Sequence, residues 1–215
     1  MASTTRRPSS AADRRSALEK RILSVIGDCL RNGVTYTELS VEQIAKAAGV
    51  SRSTFYLYFR DKVDVLLRLS GSLKQESYAI TAAWRPTGPD GGVDGLARTY
   101  ELVLRHYRDH AALLAAINEV AAYDPLVREA WSADQDRFVD NLVTVLEEEQ
   151  QAGRTPAGID PRLAAKLIVQ GGSQVIAQQV SGGDGGDDAV VAAELARAYW
   201  YGVYRRPAGD PAAAG

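Results

Sequence analysis

Arg52, Ser53, Thr54 and Tyr56 are the side chains of this sequence best placed to recognise another molecule. They fall in a run, Ser40 to Phe59, that reads as two short helices broken at Gly49. Ser40 can cap the first helix, and Gln43 three residues later completes a capping box. Ile44, Ala45 and Ala48 form an apolar patch, with Ala48 small enough for a crossing helix to approach. Gly49 suits the left-handed residue that ends a helix. Ser51 can cap the second helix, and Phe55 and Phe59, four apart, give it a buried side. Arg52 would sit in the first turn, where the helix dipole prefers an anion. It therefore suits a phosphate or a guanine edge better than it suits helix stability. Lys62 directly follows Asp61, the expected cap of the next helix, and invites the same argument, because helix N-termini present free N–H groups to phosphate. This is the layout of a helix-turn-helix, whose second helix enters the DNA major groove. The candidate DNA-contacting residues are Ser40, Ser51, Arg52, Ser53, Thr54, Tyr56, Tyr58 and Lys62.

Charge supports the same half of the chain. Overall, 25 Lys and Arg stand against 27 Asp and Glu, a net −2 that does not advertise nucleic acid. Residues 1–70, however, hold 12 Lys and Arg against 7 Asp and Glu, and the remainder is acidic. The basic part is the part that carries the helix-turn-helix, as phosphate attraction requires.

Beyond residue 70 the candidates are of another kind. Trp84, Tyr107, Tyr123, Trp131 and Phe138 cluster in sequence, and Trp131 and Phe138, seven apart, share a helix face. Asn118 and Gln174 are polar residues at otherwise apolar positions. Each aromatic could be ordinary core; together, apolar walls with a few placed polar groups are how small-molecule sites look. His106 and His110, four apart, could share a face as zinc ligands do. No third ligand follows, and Asp109, read as a cap, would break the helix between them, so no metal is expected. The run Gly182-Gly183-Asp184-Gly185-Gly186 lacks the Lys-Ser/Thr of a phosphate loop and reads as a flexible connection. No cofactor motif and no Ser/His/Asp order is present.

The elements that must position these residues are helical. Hydrophobic content is 46% in 215 residues, β-branched alternation is rare, and no apolar run is long enough to span a membrane. The fold class expected is all-α: a three-helix N-terminal domain with the helix-turn-helix, then six helices. The boundaries expected are a disordered arm 1–12, a DNA-binding domain 13–60, a helical ligand-binding and dimerisation domain 61–205, and a disordered tail 206–215. Arg6 and Arg7 in the arm could lie along DNA or idle in solvent, and Arg14 and Arg15 could reach phosphate. The first helix, Asp13 to Arg31, buries Leu18, Ile22, Val25, Ile26 and Cys29 and ends at Asn32-Gly33. A long helix runs from Asp61 to about Trp84, with Gly71 inside it to ease bending or close packing. Helices follow from Val93 to Arg108 and from an Asp109 cap to Val120. Asp124-Pro125 and Asp160-Pro161, each a cap followed by Pro at the first position, start two more. The polar end Glu147 to Gln151 is expected to reach solvent. The last helix runs from Asp188 to about Tyr204. The single cysteine, Cys29, cannot form an internal disulfide, and a reducing cytoplasm is the simplest setting.

Ser51-Arg52-Ser53-Thr54-Phe55-Tyr56-Leu57-Tyr58-Phe59, followed by Asp61-Lys62 and Leu66-Leu67, resembles the DNA-binding signature of the TetR family of bacterial transcriptional repressors. Ser53 stands where a proline is common. Residues 13–68 carry the resemblance; beyond them only helix layout and length agree. The resemblance implies a homodimer, paired through the last two helices, that binds a palindromic operator. It also implies a pocket in the helical body for a small apolar or amphipathic effector that releases DNA. Leu163, Leu167, Gly171, Gln174 and Val175 on one of those helices, and Val191, Leu195, Ala198, Tyr199, Gly202 and Val203 on the other, form small and apolar faces that could serve such pairing or the internal core equally. Two alternatives stand beside this reading: a DNA-binding activator or architectural factor that senses nothing, and a helical enzyme.

Overall fold

The computed structural model describes residues 11–182 and 184–207; the side chains of 11–15 and of residue 134 are outside that description. Arg6 and Arg7, the side chains of Arg14 and Arg15, and Gly183 therefore lie outside the described residues. The fold is all-α. The order is α1 (Ala11–Arg31), α2 (Val41–Ala47), α3 (Arg52–Tyr56), α4 (Lys62–Ala83), α5 (Gly92–Asp109), α6 (Ala111–Ala121), α7 (Pro125–Gln151), α8 (Pro161–Gly182) and α9 (Asp188–Tyr199). A π-helical turn, Trp200–Tyr204, extends α9 to the point where the final helix was expected to end.

Local chemistry sets most of the boundaries. Asp61 Oδ1 accepts from the Asp64 N–H at 2.8 Å, Asp124 Oδ1 from Leu126 at 2.9 Å, and Asp160 Oδ1 from Leu163 at 2.8 Å. Each satisfies an N–H that the helix itself leaves unpaired, worth about 1 kcal/mol. Gly33, at φ +83°, ends α1. The expected Asp109 cap is corrected: Asp109 is the last residue of α5, and His110 alone separates it from α6 without a side-chain cap. The helical hydrogen-bonding of α5 carries on through Asp109, so the N-cap position of α6 falls one residue later, at His110. Gly71 is exposed, and a Cβ there would meet nothing within 4 Å, so close packing is not its role.

Two apolar clusters organise these helices. In the head, Ile22 and Ile26 of α1, Ile44 of α2, Phe55 of α3 and Leu66 of α4 are fully buried together with Ile117 of α6. Burial of side chains of this size stabilises by roughly 1.5–3 kcal/mol each. Arg68 of α4 fastens the head further, pairing with Glu19 of α1 and donating to the Tyr58 carbonyl at 3.0 Å. In the body, Leu104 of α5, Leu146 of α7, Ala165 of α8 and Ala196 of α9 are buried in the second cluster. Leu195 and Val203, which the sequence left open between a dimer face and the core, are in this internal core, 8% and 9% exposed. Gly171 and Gly172 face Tyr199 Oη at 3.3 and 3.6 Å from their Cβ positions, so this pair lets α9 approach α8 within the chain.

Two polar clusters close the body. Arg108 of α5 donates to Asp188 Oδ1 at 2.6 Å and to the Gln179 carbonyl at 3.1 Å, tying α5 to α8 and α9. Its hydrogen bonds hold the Asp188 carboxyl below the usual carboxylate range, against the opposing effect of burial. Gly185, at φ +96°, leaves room for this guanidinium, because a Cβ there would lie 2.9 Å from Arg108 Nε. The second cluster corrects the expectation that 147–151 is all solvated. Glu149 is buried, with Arg154 Nη2 at 2.7 Å and Arg205 Nη1 at 2.9 Å. Burial works to raise its pKa, and the two arginines outweigh it and bring the carboxyl below its ordinary value.

Among the described glycines, Gly95 leaves the least room for a side chain. A Cβ added there would lie 1.8 Å from the Asp90 carbonyl oxygen and 3.1 Å from Trp84 Nε1. Gly95→Ala is expected to destabilise the protein by about 2 kcal/mol or more, lowering Tm by about 4–8 °C. Thermal unfolding followed by circular dichroism checks this, and an unchanged Tm would refute it.

Candidate nucleic-acid interface and internal cavity

The head presents its two short helices as the sequence suggests. Ser40 Oγ accepts from the Gln43 N–H at 3.2 Å while Gln43 Oε1 accepts from the Ser40 N–H at 2.8 Å, a complete capping box. Gly49 has φ +64°, with Val50 N–H bonded to the Ala45 carbonyl at 2.9 Å and Gly49 N–H to that of Lys46 at 3.0 Å. This is the paired closure that a left-handed glycine permits. Ser51 Oγ accepts from the Thr54 N–H at 3.0 Å and lies 2.8 Å from the Thr54 hydroxyl. Phe55 and Phe59 turn inward, 5.4 Å between ring centroids.

What remains outward is a short polar and aromatic ridge. Ser40, Ser51, Arg52 and Ser53 are exposed, and Tyr56 is 49% exposed. Arg52 reaches only a distant Glu42 carboxylate, 3.9 Å away. Thr54 and Tyr58 are half-buried, and Tyr58 packs against the head core. Leu57, 73% exposed beside Tyr56, belongs to the same outward ridge and was not among the candidates singled out from sequence.

Lys62 takes a place that the sequence argument did not foresee. Its ammonium donates to the carbonyls of Tyr36 at 3.2 Å, Thr37 at 3.1 Å and Leu39 at 3.2 Å. It also lies 5.4 Å from the Tyr36 ring centroid, and the Tyr36 hydroxyl donates back to the Lys62 carbonyl. An ammonium has three N–H donors, and all three are engaged here. Lys62 therefore has a stabilising role, joining the start of α4 to the segment that leads into α2. Burial is the main cause that pushes the Tyr36 hydroxyl pKa upward.

The body contains a cavity of about 380 Å³, bounded by α4 to α9 and the π-helical turn. Its size falls within the roughly 300–1,000 Å³ of small-molecule sites. Trp84, Tyr107, Asn118, Trp131, Phe138 and Gln174, six of the seven residues singled out from sequence, line it. Tyr123 does not. It lies 60% exposed in the turn between α6 and α7, where its neighbours in sequence do not become neighbours in space. Gln174 is exposed as well as lining, and with Gln170 marks the side on which the cavity reaches the surface.

Sequence reasoning missed the α4 wall, formed by Lys74, Ser77 and Thr81. The signal was present: polar residues at i, i+3 and i+7 fall on the face that also carries the apolar Leu66 and Leu73. The His106 and His110 rings lie 4.9 Å apart, tilted to one another, but His106 Nε2 pairs with the Leu73 carbonyl at 3.0 Å and His110 Nδ1 with the His106 carbonyl at 2.9 Å. Among the described residues no group of three or more His, Cys, Asp or Glu could hold a metal.

Comparison with known proteins extends this picture over both halves. The sequence model of the bacterial regulatory proteins of the tetR family matches residues 35–69, the helix-turn-helix. That of the C-terminal domain of the transcriptional regulator EthR matches residues 96–203, half of the chain. The HTH-type transcriptional regulator EthR of Mycolicibacterium smegmatis is 28% identical over 160 residues, 72% of each chain. Among solved structures, Salmonella enterica GusR superposes with a TM-score of 0.69 at 20% identity, covering 85% of this chain and 95% of that one. The transcriptional regulator FadR from Bacillus subtilis, solved in complex with stearoyl-CoA, gives 0.67 at 21% identity, covering 84% and 96%. With the helix-turn-helix at one end and an EthR-type helical domain at the other, the chain belongs to the TetR family of bacterial transcriptional regulators.

Proposed function

We propose that this protein is a ligand-responsive repressor that binds a palindromic operator as a homodimer in the cytoplasm. Residues 13–60 form the DNA-reading unit, and residues 61–205 bind the effector and pair the subunits. Arg52, Ser53, Thr54 and Tyr56 face DNA, with Ser40, Ser51 and Tyr58 setting the ridge. Lys62 acts through the loop that it fastens. The α8 stripe of Leu163, Leu167 and Val175, exposed at 59%, 63% and 39%, is the surface offered to the partner subunit.

One observation carries the ligand response: the same helices reach both the head core and the cavity wall. On α6, Ile117 is buried in the head cluster while the next residue, Asn118, lines the cavity. On α4, Leu66 is in the head cluster and Ser77 in the cavity wall. Glu119 adds a direct tie, accepting from the Thr37 hydroxyl at 2.6 Å. A ligand that favours one packing of α4 and α6 thereby biases the heads. The response is a population shift, so the ligand must bind the non-operator conformation more tightly. The stearoyl-CoA bound by the related FadR supports an amphipathic effector.

The test joins operator and ligand. Selection from random DNA should return inverted repeats, because a two-fold dimer places its recognition helices about one turn, or a multiple, apart. Compounds that quench the cavity tryptophans should lower operator affinity. If every such compound leaves affinity unchanged, linkage sinks the sensing role and the non-sensing alternative returns. Arg52→Ala should weaken operator binding about tenfold or more and, for a phosphate contact, reduce the salt slope by about one. Fluorescence anisotropy across a salt series measures both, and unchanged binding would remove Arg52 from the interface.

A further inference from the structure

We infer that Leu57 is a specificity-determining residue of the DNA-binding head, reading the 5-methyl group of a thymine in the major groove. The inference rests on reading the α3 ridge as the DNA-contacting surface, and names one base feature that it recognises. Among the described residues Leu57 is the most exposed of the large apolar side chains. It is the C-cap of α3, with φ −73° and ψ −19°, so the helical turn carries through it. Phe55 is fully buried and fixes which side of α3 faces inward. Successive side chains of a helix are about 100° apart, so Ser53 and Leu57, two residues either side of Phe55, each lie about 160° from it. These two positions straddle the outward apex of the helix, with Arg52, Thr54 and Tyr56 on its flanks. Thr54 is turned aside further, since its N–H and its hydroxyl both meet Ser51 Oγ, at 3.0 and 2.8 Å. Tyr56 packs edge-on against Phe55, 5.5 Å between ring centroids.

A lone exposed leucine is ordinary on a protein surface. A leucine at the apex of a recognition helix is different, because that helix enters the major groove and its outward side chains meet base edges. Ser53 beside it is small and keeps the apex open for the longer side chain. The base edges displayed in that groove are hydrogen-bond donors and acceptors, with one apolar group among them, the C5-methyl of thymine. Leucine has neither a donor nor an acceptor to offer. Against a purine edge or the cytosine amino group it would displace water from polar atoms and give them no partner, which is unfavourable. Against a thymine methyl it buries apolar surface on both sides, which is favourable. The same side chain thus favours thymine and disfavours the other bases at one position.

The experiment uses the full-length protein and the duplex that it selects from random DNA. Each thymine of that duplex is replaced singly by deoxyuridine, which removes the 5-methyl and keeps every hydrogen-bonding group. At one thymine or more, affinity measured by fluorescence anisotropy is expected to fall about fourfold, the effect of losing one buried carbon. Leu57→Ala should bind the unmodified duplex about fourfold or more weakly and lose the sensitivity to that replacement. Leu57→Met, an apolar side chain of similar volume, should retain it. Random selection with Leu57→Asn should no longer favour thymine there. Thermal unfolding of Leu57→Ala should match the wild type, because the side chain is exposed. A duplex insensitive to every replacement, a sensitivity that survives Leu57→Ala, unchanged binding by Leu57→Ala, unchanged selection by Leu57→Asn, or a destabilised Leu57→Ala would each overturn the inference. Arg52→Ala separates it from the reading on which it rests. If that variant binds more weakly while no thymine methyl matters, the ridge stands and the role of Leu57 falls. If neither Arg52→Ala nor Leu57→Ala changes affinity, or no duplex is selected, the ridge itself is not the DNA-contacting surface.

Discussion

Leu167→Glu is expected to give a folded monomer that binds its operator about 100-fold or more weakly than the wild type. Leu163, Leu167 and Val175 recur along α8 at multiples of four, an exposed apolar stripe broken only by the exposed Gly171. A glutamate in the middle of that stripe would have to lose its water on pairing, and a desolvated charge without a partner is strongly unfavourable. Two heads held in one dimer gain about 10²–10⁴ in apparent affinity over a single head, and a monomer forfeits it. Leu195→Glu is the contrasting variant. Leu195 is 8% exposed inside the body cluster, so the same charge there should unfold the body rather than split a dimer. Light scattering gives the mass, circular dichroism the fold, and anisotropy the affinity. A Leu167→Glu protein that stays dimeric with unaltered operator binding would move the interface elsewhere.

Lys62→Met should destabilise the head by about 2–4 kcal/mol, a discounted sum of three charge-assisted bonds at a half-exposed site. Operator binding should fall with it, because the loop that Lys62 fastens leads straight into the Ser40 cap of α2. The two roles open to this residue separate cleanly. If Lys62 acts by positioning, affinity tracks head stability and the salt slope stays as in the wild type. If its charge contacts phosphate directly, the slope drops by about one while stability is kept. Chemical denaturation read beside a salt series distinguishes them, and a variant unchanged in both would refute either role.

The sequence by itself determined what is local. The capping box of Ser40 and Gln43, the left-handed Gly49, and the caps at Asp61, Asp124 and Asp160 each involve residues within a few positions, so residue type and spacing suffice. The helical order, the outward Arg52 and the family signature follow from those signals. The cavity aromatics were legible as a group, because apolar walls with isolated polar residues have a recognisable pattern. Tertiary structure decided what depends on distant partners. Lys62 meets carbonyls 23 to 26 residues away, Arg205 reaches Glu149 from the far end of the body, and Lys74 on α4 meets rings on α7. Leu167 and Leu195 look alike in sequence, yet one faces solvent and the other the core. Helical periodicity shows that a face is apolar, but only packing in three dimensions decides which neighbour covers it.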